Sequence, residues 1–191
     1  MRDNVRSGNL PQGFNLDWDW GVLTPEEMER LETLVRRVFD YLAGLRLSDG
    51  LAKHVQNPKI PPVLPESAVI NIRSKLFPGS LDARPGGKRG DVLLRYPDGE
   101  RRAEVKATGE NGFEAFSEKD VSAHYLMGIH FGTFFRNGEG GVVLYKVDRP
   151  GTFLAKREKI SIRPFLKRIP KERLEELKAS SLTEIVRTYS G

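Results

Sequence analysis

Hydrophobic positions along the chain change period several times, and each change predicts an element. Met28, Leu31, Leu34, Val35, Val38, Phe39 and Leu42 recur three and four apart, the spacing of an amphipathic helix. Thr24-Pro25-Glu26-Glu27 just before them is a capping box with proline at the first helical position. A helix is therefore predicted to run to about residue 43. Its polar face of Glu29, Arg30, Arg36, Arg37 and Asp40 marks it as scaffold or as a dimer helix. Residues 46–65 are polar and proline-rich and read as a connector. A second helix is predicted from Pro65 to about residue 77, with Val69, Ile70, Ile72, Leu76 and Phe77 apolar.

Then the period drops to two. Residues 90–96 and 101–106 are short alternating or apolar runs on either side of Pro97-Asp98-Gly99, which predicts a hairpin. A helix over about residues 114–127 follows, then strands over 129–135 and 141–147. The second of these is apolar enough to be a buried central strand. The tail predicts a short strand near 151–155, an alternating strand over 160–163, a helix over 171–178 and a last turn or helix over 182–188. The mixture predicts an α/β (α+β) protein with a mixed central β-sheet flanked by α-helices.

Composition bounds what such a body does. At 191 residues, 38% hydrophobic and 30% charged, the chain reads as a single globular domain with a core of its own. It has no run of eighteen apolar residues and no secretory signal pattern, so a cytoplasmic protein with no membrane partner is predicted. It has no cysteine, which excludes disulfides, thiolate metal sites and a Cys nucleophile. The net charge is +5 and is unevenly placed. Residues 149–191 carry 11 Lys and Arg against 5 Asp and Glu, whereas residues 1–148 carry 20 against 21. A basic C-terminal extension on a nearly neutral body suits a polyanion, or it is a solvated helix face. Trp18 and Trp20 in the N-terminal arm (residues 1–23) read as packing residues. His124 and His130 lack the spacing of a zinc pair.

The hairpin carries the chemistry. Period two puts Glu104 and Lys106 on one face, with Val105 on the other. Pivoting on Asp98-Gly99 sets Asp91 roughly opposite residues 104–106. Two carboxylates brought together repel and call for a cation, and hard oxygen ligands suit Mg²⁺. A lysine beside them can hold or activate a water, which is a hydrolytic phosphodiester site in outline. The loop Arg84-Pro85-Gly86-Gly87-Lys88-Arg89-Gly90 runs straight into Asp91. Its glycines allow close backbone approach and its cations attract phosphate, so Arg84, Lys88 and Arg89 are candidate DNA contacts. The alternative is a surface loop. Thr108, just past the lysine, is a further candidate phosphate contact. The loop over 84–90 has no GK[ST] and no following helix, so it is not a nucleotide-binding loop.

Asp91 and Glu104-Val105-Lys106, with twelve residues between Asp91 and Glu104, resemble the PD-(D/E)XK nuclease superfamily, the fold of most type II restriction endonucleases. The resemblance spans residues 60–147, the catalytic core it implies, and departs from the motif at Gly90, where the family's name has proline. It implies a restriction-endonuclease-like core and a Mg²⁺-dependent endonuclease that hydrolyses double-stranded DNA, most simply of the type II restriction class. It implies Asp91, Glu104 and the Val105 carbonyl as metal ligands, Lys106 as the residue that positions or deprotonates water, and products with 5′-phosphate and 3′-hydroxyl ends. Many members add a carboxylate from the helix before the Asp strand, a role that falls to Glu66. A repair or junction-resolving nuclease of the same superfamily, or a non-catalytic nucleic-acid-binding module, are the other readings. A symmetric homodimer would match a palindromic site, and a monomer stays open.

Overall fold

The computed structural model describes residues 21–48, 59–87, 90–109, 111–113, 115–137 and 140–190. The capping box expected before the first helix is formed: the Glu27 N–H donates to Thr24 Oγ1 and the Thr24 N–H to Glu27 Oε2. Helix α1 runs Pro25–Ser48, past the expected end at residue 43. Met28 and Val35 are buried, while Leu34 and Val38 from the same predicted stripe are exposed. The predicted second helix is split in two, α2 Val63–Asn71 and α3 Arg73–Leu76. The break is at Ile72, where the Asn71 side chain donates to the Ser67 and Leu23 carbonyls and so pins the helix end to the entry of α1.

The central sheet has six strands: β1 Asp82–Pro85, β2 Val92–Tyr96, β3 Gly99–Thr108, β5 Tyr125–His130, β6 Val142–Asp148 and β8 Leu174–Ala179. Their spatial order is β1-β2-β3-β5-β6-β8, and only β3 and β5 run parallel. Between β3 and β5 lie β4 Gly112–Phe113 and the short helix α4 Glu118–Ser122. A four-residue helix, α5 Phe134–Asn137, precedes β6. Strand β7 Ile160–Ser161 pairs with β4, helix α6 Ile162–Arg168 follows it, and α7 Leu182–Tyr189 closes the described chain. Mixed α/β, mostly antiparallel and flanked by helices, is the observed architecture.

One sheet face buries Val92, Leu94, Ala103, Met127, Ile129, Val142, Leu144 and Leu177 under α1, α2 and α7. On the other face Leu126, Tyr145 and Val147 pack with Phe113, Phe116, Ile160, Phe165 and Ile169. The basic residues 149–191 are thus built into the body: β8 completes the sheet beside β6, and α7 packs on α1 and α2. No helix among the described residues is long and apolar enough to cross a membrane.

Several predicted elements differ. The stretch 171–178 is a 3₁₀ turn, Lys171–Arg173, leading into strand β8, not a helix. Residues 151–155 begin inside the 3₁₀ turn Pro150–Thr152 and form no strand. The strand expected over 129–135 begins earlier, at Tyr125, and ends at His130. Of the helix expected over 114–127, only Glu118–Ser122 is helical among the described residues, and its last three positions belong to β5.

Glu32 of α1 ties the two ends of the chain together. Its buried carboxylate accepts the Leu182 N–H at 2.9 Å and the Thr183 hydroxyl at 2.6 Å, meeting donors of the first turn of α7 that the helix itself leaves unpaired. Burial raises its pKa, against those hydrogen bonds. Glu32→Ala strands both donors, and urea unfolding is expected to show a loss of about 2–3 kcal/mol.

Candidate active site

The register of the hairpin sets the geometry. Val92 pairs with Ala103 and Tyr96 with Gly99, so the turn residues are Pro97 and Asp98 rather than the expected Asp98 and Gly99, and Asp91 stands one step beyond Val92, level with Glu104. Asp91 is fixed there from two sides. Its Oδ2 accepts the Val105 N–H at 2.8 Å, and its carbonyl accepts the Gly86 N–H at 3.0 Å. In an extended strand the N–H and C=O of one residue face the same neighbour. The Val105 carbonyl therefore faces the Asp91 side, past the end of the β2 ladder.

Gly90 has φ +148°, a conformation proline cannot adopt. A Cβ there would stand 2.5 Å from Arg102 Cγ and 3.0 Å from Glu104 Oε1. The departure from the motif's proline is thus a consequence of how closely Arg102 and Glu104 approach the backbone. Gly90→Ala is expected to cost about 1–3 kcal/mol in chemical denaturation, and Gly90→Pro more.

Glu104 is only 3% exposed, and its Oε1 has no hydrogen-bond partner. The nearest cation is Arg102, whose Nε stands 3.6 Å away, too far for a hydrogen bond. The Arg102 Nη2 donates instead to Ser122 Oγ at 2.9 Å. Burial, and then the charge of Asp91, push the Glu104 carboxyl up to about 7, although Arg102 opposes the shift. Glu66, in the first turn of α2, is also pushed up to about 7, by burial and then by Asp91 and Glu104. Burial raises the Asp91 carboxyl as well, against the Val105 N–H. Three carboxylates, on α2, just before β2 and on β3, therefore act on one another through a shared low-dielectric space.

Asp120 of α4 is a fourth carboxylate at this end of the sheet. It is 4% exposed and lies 3.0 Å from Lys106 Nζ. It raises the pKa of both Asp91 and Glu104. The sequence pattern hid it, because Ser117-Glu-Lys-Asp120 is spaced as a helix cap, which it also is. Lys119 is close enough to lower the pKa of Asp91 and Glu104.

The donor set fits a hard cation. A buried carboxylate oxygen without a partner, beside a second carboxylate, is an arrangement that a divalent ion would satisfy. Among the described residues, no three acidic, histidine or cysteine side chains close into a metal cage by themselves. Mg²⁺ asks for less than that, since one or two protein carboxylates with water complete its shell.

The candidate DNA contacts separate. Arg84 lies on the edge strand β1 and pairs with Glu100 at 2.9 Å. The Thr108 hydroxyl donates to the Gly112 carbonyl at 2.9 Å, so it anchors the start of β4 rather than joining the carboxylates. Lys88 and Arg89 lie outside the described residues, as do Trp18 and Trp20. His124 Nδ1 accepts the Arg102 N–H at 3.1 Å, a structural bond next to the site. Comparison of the chain with protein-family models, with curated proteins and with solved structures gives no match in any of the three.

Proposed function

We propose that this protein is a Mg²⁺-dependent endonuclease that hydrolyses phosphodiester bonds in double-stranded DNA, with a restriction-endonuclease-like core and, most simply, restriction-type action. The observation that carries the reading is the level pairing of Asp91 with Glu104 across the hairpin, with the partnerless Glu104 oxygen and Lys106 two residues on. The order of elements supports it. A helix carrying Glu66 precedes the hairpin, and a helix and a parallel strand follow it, the order that the resemblance implies.

In this reading Asp91, Glu104 and the Val105 carbonyl hold the ion, with Glu66 as an additional carboxylate. Mg²⁺ bound there supplies positive charge against the scissile phosphate and makes a nearby water more acidic. Lys106 holds the attacking water and offsets charge that builds on the pentacovalent phosphorus. Arg102 and Lys119 set positive charge beside the carboxylates, and Lys88 and Arg89 stand two or three residues before Asp91 in the sequence. The test is incubation of plasmid and phage DNA with the protein in Mg²⁺ and in EDTA. Discrete fragments with Mg²⁺ alone support a sequence-specific enzyme. A Mg²⁺-dependent smear points to the repair or junction-resolving class. DNA retained in a gel shift without cutting would replace the enzyme with a binding module.

A further inference from the structure

We propose that Asp120 is a positioning residue that holds the Lys106 ammonium in place and keeps it off the carboxylates of the metal site. The inference rests on the reading of Lys106 as the water-handling group and adds a residue that the PD-(D/E)XK motif does not contain. Lysine has a long flexible stem with about 2 kcal/mol of rotamer entropy, and without a fixed partner its ammonium would settle on the nearest carboxylate. Here Asp91 and Glu104 would be those partners, and an ammonium on them competes with the cation. Asp120 gives Lys106 a separate one, at 3.0 Å and out of solvent.

Asp120 is itself held rigidly. Its Oδ2 accepts the Ser117 N–H as well as meeting Lys106, and its own N–H donates to Ser117 Oγ. The carboxylate cannot swing away from Lys106 without opening the cap. A helix as short as α4 is not stable alone, and neighbours clamp it. The 3₁₀ turn Pro150–Thr152 packs on it so closely that a Cβ on Gly151 would stand 2.4 Å from the Val121 carbonyl oxygen. Ser122, the last residue of α4, takes the Arg102 side chain. One small element thus places both cations of β3 that flank Glu104. A group that orients a reacting partner must hold it to a fraction of an ångström, and this arrangement is built to do so.

The test is a double-mutant cycle on plasmid cleavage, with labelling of the lysine as a second readout. Asp120→Asn keeps an oxygen for the Ser117 N–H and removes the charge. It is expected to lower kcat about 10–100-fold while leaving KM for DNA and the Mg²⁺ half-saturation near those of the parent. In a Lys106→Ala background the same substitution is expected to change nothing further. Ser117→Ala loses only the Oγ bond to the Asp120 N–H, while the Ser117 N–H still holds Asp120 Oδ2, so kcat is expected to fall far less than in Asp120→Asn once the protein is folded.

Amine acylation of Lys106, followed by peptide mass spectrometry, is expected to run several-fold faster in Asp120→Asn. An unchanged kcat, an equal loss in the Lys106→Ala background, or unchanged labelling overturns the proposal. If the parent cuts no DNA while labelling of Lys106 still rises in Asp120→Asn, the nuclease reading falls and the Asp120–Lys106 pairing stands.

Discussion

Asp91→Ala is expected to abolish Mg²⁺-dependent plasmid cleavage, by about 10³-fold or more, and Lys106→Ala to lower it by about 10²–10³-fold. The two losses have different physical origins. Asp91 stands level with Glu104 across the hairpin and takes the Val105 N–H, so alanine removes one proposed ligand and releases the strand that carries the other. Metal affinity falls with the rate, and added Mg²⁺ recovers little. Lys106→Ala leaves the carboxylates in place, so Mg²⁺ binding measured by calorimetry stays near the parent value while the rate falls.

Neither change touches Arg102, Lys119 or the basic loop, and DNA affinity in EDTA is expected to hold. Stability separates the pair again. Asp91 is a half-buried carboxylate whose pKa is raised mainly by burial, so alanine relieves that cost while giving up the bond from the Val105 N–H. Lys106→Ala instead strands buried Asp120, at a cost of about 1–3 kcal/mol. Rates are therefore compared at a temperature where every variant is folded. Cutting that survives both substitutions would place the active centre elsewhere in the molecule.

The hairpin was legible because its signals are local. Asp-Gly near a turn, period two, and charges at the far ends of both strands survive into the structure almost unshifted. Glu66 was legible as the acid of the preceding helix. What decided the rest is long-range.

Residues 174–179, Leu-Glu-Glu-Leu-Lys-Ala, have helical spacing and helix-forming residues, yet pairing with β6 over six positions makes them a strand. Tertiary context outweighs propensity worth tenths of a kcal/mol per residue. Strand β5 slid N-terminally for a packing reason. A Cβ on Gly128 would stand 2.7 Å from the Phe113 ring, and Gly132, at φ +49°, turns the chain so that Phe134 and Phe135 fold back on Phe131. The edge strand β1 was hidden by Pro85, which an edge tolerates. Asp120 reaches the site only because the β3–β5 crossover lays α4 against β3, and no spacing in the chain announces that.

Glu104→Gln is expected to make the metal-free protein more stable while removing its function. The carboxyls of Glu66 and Glu104, ordinarily near 4.5, are both pushed up to about 7, so between those values the folded state holds protons that the unfolded chain has released. Stability must then fall as pH rises through that window, and the full penalty is in place above about pH 7.

At about 1.4 kcal/mol per unit, reduced because solvent screens part of the repulsion and the two groups share one relief, the metal-free protein is expected to lose roughly 2 kcal/mol between pH 5 and pH 8. His124, whose pKa is lowered mainly by burial, works the other way below its ordinary 6.5. The decisive comparison is therefore variant against parent at each pH. Glu104→Gln is expected to gain about 1–2 kcal/mol at pH 8 and almost nothing at pH 5 in EDTA.

Saturating Mg²⁺ should raise the Tm of the parent at pH 8 by binding only the folded state, less so at pH 5 where protons occupy the site, and not at all in Glu104→Gln. A parent whose stability is flat from pH 5 to pH 8, or a Glu104→Gln variant that still answers to Mg²⁺, would mean that these carboxylates do not share a cation. In the proposed site, the repulsion that weakens the empty protein is the interaction that a bound cation would turn to its own binding.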